Sequence, residues 1–143
     1  MSIWQSETKL NISADPDAIW HRWSTPDLWP QDDPDTRAAF LEVPAAAGVS
    51  GWAQPRRGPR SALTVTRADQ PSALDFRSSF PGATMSFEHE LTPIDDTGYA
   101  MTHRLVFEGP LAGIWGRLIG ASIARGFPSV MGSIVRNAGG HIT

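Results

Sequence analysis

The residues best suited to chemistry are two histidines, His89 and His103, within MSFEHELTPIDDTGYAMTHRL (Met85 to Leu105). The stretch reads as two strands joined by a turn. In the first arm Ala83, Met85, Phe87 and Leu91 alternate with Thr84, Ser86, Glu88, Glu90 and Thr92, and His89 falls on the apolar side. In the second, Tyr99, Met101, Leu105 and Phe107 alternate with Ala100, Thr102, Arg104 and Glu108, and His103 again falls on the apolar side. Successive side chains of a strand point to opposite faces, so both imidazoles are expected to face whatever the sheet covers. A turn centred near Asp96 pairs Leu91 with Met101, His89 with His103 and Phe87 with Leu105, with opposed Cβ atoms about 4.5–5.5 Å apart.

Adjacent imidazoles resist each other's protonation, and burial acts in the same direction, so at least one is expected to be neutral at pH 7. A neutral imidazole in an apolar pocket is a general base for an acidic C–H or a hydroxyl, as an aldol-type cyclisation or a dehydration requires. The same two residues serve equally as groups that orient a ligand. They serve as well as core histidines hydrogen-bonded to each other, to Tyr99 or Ser78, or to backbone. A metal centre is disfavoured, because two histidines need a further ligand and Glu88 and Glu90 point to the opposite face. No metal and no cofactor are expected, and no phosphate loop, nucleotide fingerprint or Ser/His/Asp set is present in the sequence. His21 and His141 are expected in solvent.

These histidines need a sheet and something to cover it. A first strand is marked by Trp4, Ser6, Thr8, Leu10 and Ile12 alternating with Gln5, Glu7, Lys9 and Asn11. SADPDAIWHRWS then starts a helix, with Asp15 as cap, Pro16 at the first helical position and Asp17 complementing the dipole. A second short helix is expected at Thr25 to Leu28, before the acidic run QDDPD. RAAFLEV, GVSGWAQ, SALTVTRA and ALDFRSSF are strands, and PRRGPR, DQPS, FPGA and DDTG are the turns, so the middle of the chain is an antiparallel meander. From Pro110 to Gly139-Gly140 the pattern is one long helix, with Ile119, Ile123, Phe127, Val130, Met131 and Ile134 on one broad face. Its interior glycines (113, 116, 120, 126 and 132) each cost about 1 kcal/mol relative to alanine. Pro128 is expected to kink it. Such a helix is held by packing, and its glycines imply close approach to a strand, room for a ligand, or a homodimer contact.

The 143 residues point to a single domain, large enough for a core with a pocket. A hydrophobic content of 41% and a charged content of 19% are ordinary for a globular protein. A net charge of −3 provides no basic field, which makes nucleic acid a poor partner. The absence of cysteine excludes disulfides, thiolate metal sites and cysteine nucleophiles. The N-terminus lacks the pattern of a secretory signal. The longest weakly charged stretch, GPLAGIWGRLIGASIA, falls short of the ~20 residues of a membrane span, so a cytoplasmic protein is expected.

Strand, short helices, six strands and a long helix make an α+β chain with helices on one face of an antiparallel sheet. The order of elements resembles the START/Bet v 1-like (SRPBCC) superfamily, and most closely its polyketide cyclase/dehydrase branch. The likeness rests on ISADPDAIWHRWSTPDLWP, GVSGWA, ALTVTRADQPSALDFRSSFPGATMSFEHELTP and DTGYAMTHRLVFEGPLAGIWGRLIG. It implies a helix-grip fold over residues 1–143: a seven-stranded curved antiparallel sheet around the long C-terminal helix, with two short helices after the first strand. It also implies an internal pocket for a small, largely apolar molecule. Relatives of this kind transport or sense such ligands, or cyclise or dehydrate them without a cofactor.

One departure is QDDPD after Trp29-Pro30, where such proteins often carry a second tryptophan; it implies a wetter cavity mouth. The tryptophans Trp20, Trp23, Trp29 and Trp52 either wall the pocket or pin the short helices. The expected lining is Trp23, Phe76, Ser78, Met85, Phe87, Met101, Leu105, Ile119, Ile123 and Phe127, with His89 and His103 orienting or activating the ligand. An open volume on the order of 300 Å³ or more is required; a filled core would instead suit a protein-interaction module.

Overall fold

The computed structural model describes residues 2–42, 44–96 and 98–143. Val43, at the end of the expected strand RAAFLEV, and Thr97, in the expected turn DDTG, lie outside the described residues.

The strands are β1 (Ser2–Ser13), β2 (Thr36–Leu41), β3 (Ser50–Pro55), β4 (Ser61–Asp69), β5 (Ala73–Phe80), β6 (Ala83–Pro93), β7 (Tyr99–Gly109) and β8 (His141–Ile142). They form one antiparallel sheet in the order β2-β3-β4-β5-β6-β7-β1-β8. The fold is the expected helix grip, with one correction: the sheet has eight strands, not seven. Gly139, at φ +83°, turns the chain back after the last helix, a conformation that favours glycine. Ile142 and His141 then pair with Ile12 and Ser13, and the Thr143 N–H donates to the Asn11 carbonyl at 2.9 Å. Two residues are too few for an alternation to show in the sequence.

Between β1 and β2 lie α1 (Pro16–Ser24), a 3-10 turn (Pro26–Leu28) and α2 (Trp29–Asp32). Asp15 caps α1 by accepting from the Asp17 N–H at 3.1 Å. Pro26 then restricts the preceding residue, and Thr25 leaves the helix with extended backbone. α1 buries Ile19, Trp20 and Trp23 against the inner face of the sheet.

Asp32, from the acidic run, turns inward. It takes two hydrogen bonds from Arg22 Nε, at 2.9 and 3.1 Å, and one from Asn137 Nδ2 at 2.8 Å. Arg22 also donates to Gln31 Oε1 at 3.0 Å. Removing one partner of such a buried pair costs about 3–5 kcal/mol, because the other is left uncompensated. The network ties α1, α2 and the end of the chain together.

The C-terminal helix is divided into α3 (Ala112–Trp115), a π turn (Gly116–Gly120), α4 (Ala121–Arg125) and α5 (Phe127–Asn137). Its break lies at Gly126, before Pro128. Pro128 occupies the first turn of α5, where its missing N–H leaves no interior bond unmade. Gly116 and Gly120 pack directly on the indole of Trp4; a Cβ on Gly120 would lie 2.6 Å from that ring. Of the uses the glycines imply, close approach to a strand is the one realised at these two positions.

Taken as one element, Ala112–Asn137 is long and apolar enough to cross a membrane, a length the expected shorter stretch did not reach. Its buried side supplies Ala112, Phe127, Met131, Ile134 and Val135 to the core, so it is the core helix of the grip.

Candidate functional site

The β6–β7 register is the expected one, with Leu91 opposite Met101, His89 opposite His103 and Phe87 opposite Leu105. The imidazole centroids of His89 and His103 are 4.5 Å apart with their planes at 75°. Both are buried, at 9% and 1% exposure. Phe87 stacks on His89 at 4.4 Å, and Phe76 meets it edge-on at 5.7 Å. From α1, Trp23 approaches His89 at 5.4 Å and His103 at 6.0 Å. From α5, Phe127 comes within 5.9 Å of His103. Three strands and two helices thus close an aromatic cage around two imidazoles.

The cage fixes their charge. Burial pulls the His89 pKa from 6.5 down to about 4, against a hydrogen bond to the Leu74 carbonyl that acts to raise it. Burial, and then the proximity of His89, hold His103 well below 6.5. Both are therefore neutral near pH 7. His89 Nδ1 lies 2.8 Å from the Leu74 carbonyl oxygen, which only accepts, so Nδ1 carries the proton and Nε2 keeps its lone pair.

His103 differs. Among the described residues neither of its ring nitrogens has a hydrogen-bond partner, nor does Trp23 Nε1, and all three atoms are buried. A buried polar group left unpaired costs about 1–3 kcal/mol, and neutral imidazole offers one donor and one acceptor while indole offers one donor. Beneath the cage the Asp75 carboxylate accepts from the His89 backbone N–H at 3.2 Å. Burial, with the nearby Glu88 charge, raises the Asp75 pKa from 3.8 to about 6.

Beside the cage is a cavity of about 250 Å³ between the chain after α2 and the α4–α5 break. Asp33, Pro34, Asp35, Ile123 and Val130 line it, and Phe87 and Phe127 form the side facing the imidazoles. Those two rings are 5.3 Å apart. The same two rings meet His103, at 5.8 and 5.9 Å, so they border both the open volume and that imidazole. The cavity is smaller than expected, because the space between sheet and helix is filled elsewhere by Met101, Leu105, Phe107 and Met131. A larger hollow of about 530 Å³ lies among Arg77, Ser79, Thr84, Ser86 and Glu108. Those residues alternate to the outer face of the sheet, away from the histidines.

Trp23, Phe76, Phe87 and Phe127 are brought together with His89 and His103 as anticipated. Ser78 is not: its hydroxyl donates to the Ala62 carbonyl at 2.8 Å. Nor does Tyr99 or Ser78 serve His89, whose partner is backbone. Met101 and Leu105 are fully buried core residues, while Met85 and Ile119 are half-buried at its margin. Ile123 is an exposed residue at the cavity mouth.

Of the four tryptophans, Trp20 and Trp23 are buried, and Trp29 packs on Phe76 at 5.4 Å while donating to the Trp23 carbonyl at 3.1 Å. Trp52 stands apart, stacked with Phe40 and with the Arg60 guanidinium over its ring. His21 and His141 are exposed. Among the described residues no three potential ligands cluster in a way that would hold a metal. The Arg22–Asp32 lock and Asp75 carry no sequence signal beyond charge. The mouth carboxylates Asp33 and Asp35 belong to the acidic run already singled out.

The sequence matches no protein-family model and no curated protein. Solved structures do match. The Zhui aromatase/cyclase from a Streptomyces species superposes with a TM-score of 0.72 at 15% identity, over 96% of this chain and 94% of that one. The fold is that of the Bet v 1-like helix-grip proteins. Ara h 8.0201 has a TM-score of 0.68 at 14% identity, over 94% of this helix-grip chain and 99% of its own. Norcoclaurine synthase from Thalictrum flavum, solved with dopamine and hydroxybenzaldehyde, has a TM-score of 0.67 at 13% identity, over 93% of this chain and 84% of that one.

Proposed function

We propose that this chain binds a small, largely apolar molecule bearing one polar group, an aromatic or polyketide-like ring with a carbonyl or hydroxyl. The molecule enters by the cavity beside Asp33 and Asp35 and passes the Phe87–Phe127 layer. Its polar group then meets His103 and Trp23. The observation that carries this reading is the set of three buried nitrogens without partners inside an otherwise aromatic cage. Ligand pockets are commonly apolar with a few convergent polar groups, and the cage has that composition. The bound states of similar folds, such as the synthase with its two aromatic compounds, support the same class of ligand. A cytoplasmic location is part of the proposal.

A second reading, a cofactor-independent cyclase or dehydratase, is favoured by the His89 tautomer. Its Nε2 lone pair would take a proton from a C–H or hydroxyl of the bound molecule, and neutral His103 would donate one to the oxygen that develops charge. Native mass spectrometry of gently purified protein, followed by mass analysis of released material, tests the binding reading. A retained small molecule whose occupancy falls in His103→Leu supports it. Equal occupancy in that variant, or no stabilisation by any aromatic ketone or phenol in a broad library, overturns it. Turnover that survives His89→Ala removes the enzymatic reading.

A further inference from the structure

The π turn has an outward face as well as an inward one. Ala112, Gly116 and Gly120 are buried at four-residue spacing, which lays the two glycines on Trp4. Ile114 and Leu118 repeat that spacing two positions on, and so stand on the opposite side, 53% and 66% exposed. Leu111 adds a third exposed apolar side chain, packed against Gly82 of the β5–β6 turn. Its N–H donates to the Gly82 carbonyl at 2.9 Å. Trp115 joins the same turn through an indole N–H that donates to the Pro81 carbonyl at 2.7 Å. Helix and turn thus form one apolar platform with a half-buried tryptophan at its edge.

The charges on the platform's own helix have one sign. Arg117 and Arg125 flank it, both exposed, and no Asp or Glu occurs anywhere after Glu108. Glu108 itself lies in the outer-face hollow with Arg77. The contrast with a chain of net charge −3 is sharp. We infer that this end of the molecule rests on an anionic lipid surface, with Ile114 and Leu118 below the headgroups and Arg117 and Arg125 among them. Amphipathic helices with basic polar residues lie in the interface in this way, and tryptophan favours the same depth. A second copy of the chain fits less well. Its own Arg117 and Arg125 would face these, with no carboxylate on the segment to answer them. Ile123 stays outside the platform, beside Asp33 and Asp35 at the cavity mouth.

The test is flotation of the full chain with vesicles of phosphatidylcholine containing one-third phosphatidylserine, against pure phosphatidylcholine, at low and at physiological salt. Partition onto the anionic vesicles that weakens with salt supports the proposal. Leu118→Asp should reduce it roughly tenfold or more, and Arg117→Gln and Arg125→Gln about fivefold each, all with unchanged melting curves. The arginine variants keep the apolar side chains, so they decide the matter if Leu118→Asp is poorly folded. No partition of the wild type, equal partition onto neutral vesicles, or partition unaltered by the arginine variants overturns it. So does a dimer in sedimentation velocity that Leu118→Asp dissociates, which would make the platform a self-contact.

Discussion

The Phe87 ring stacks on the His89 imidazole at 4.4 Å, their planes within 2° of parallel, and the same ring lines the cavity. The stacked face lends His89 no hydrogen bond, so its neutrality comes from the apolar surroundings. The one bond that fixes its tautomer is to the Leu74 carbonyl.

Acid should therefore unfold this protein through its cage. The unfolded histidine takes up a proton near pH 6.5, but folded His89 does so only near 4. A depressed folded pKa means a contribution present above 6.5 and lost as pH falls toward and through 4. For His89 the loss amounts to roughly 3 kcal/mol, and His103 adds to it in the same direction. Urea unfolding at pH 7, 5.5 and 4.5 measures it. A flat response over that range would contradict buried neutral imidazoles.

Asp75 acts with the opposite sign. Its folded pKa, raised to about 6, makes its contribution complete below 3.8 and lost as pH rises through 6. Asp75→Asn keeps an oxygen to accept the His89 N–H and removes the charge. The variant should gain stability at pH 7, by about 1 kcal/mol at most because the carboxylate is only half-buried. The gain should vanish near pH 4, and comparing the two proteins' unfolding curves at both pH values isolates it.

The phenylalanine layer can be opened. Phe127→Ala should cost about 3–5 kcal/mol and expose His103 to the cavity. Diethylpyrocarbonate, read out by peptide mass mapping, should label exposed His21 and His141 in the wild type and His103 in addition in the variant. Equal labelling of His103 in both proteins would show that Phe127 does not shield it.

Two glycines only three positions apart should respond in opposite senses. Gly116→Ala forces a methyl group into the Trp4 ring and is expected to cost about 1–3 kcal/mol. Gly113→Ala meets open space in a helix and should stabilise by up to about 1 kcal/mol. Thermal melting of the pair decides between close packing and mere tolerance of glycine.

How much of this could be read from sequence differed by element. Alternation along the two arms put both histidines on the inner face, and a turn centred near Asp96 then set their pairing residue by residue. The helix was readable as an element, but its subdivision was not. The π turn seats Gly116 and Gly120 on Trp4, a partner more than a hundred positions away in sequence.

At the site, Phe76 and Phe87 followed from alternation, whereas Ser78 shared their face and still turned to the Ala62 carbonyl. Asp32 and Asp33 are neighbours of the same type, yet one locks Arg22 and the other lines a cavity mouth. Only the tertiary position of each carboxylate separates them.

The place of β1 in the sheet carries a consequence for how the chain comes to be folded. Its neighbours are β7 and β8, so Ile12 must wait for Tyr99, and Ser2 for Gly109, to be made. On the ribosome β2 to β6 can pair in the order they emerge, each with the strand before it. Of the strands in this sheet, the first to appear stays without its β7 partner until Tyr99–Gly109 has been translated. Pairings so distant in sequence close slowly and leave a strand open to strangers meanwhile, which makes β1 the segment a chaperone would have most reason to hold.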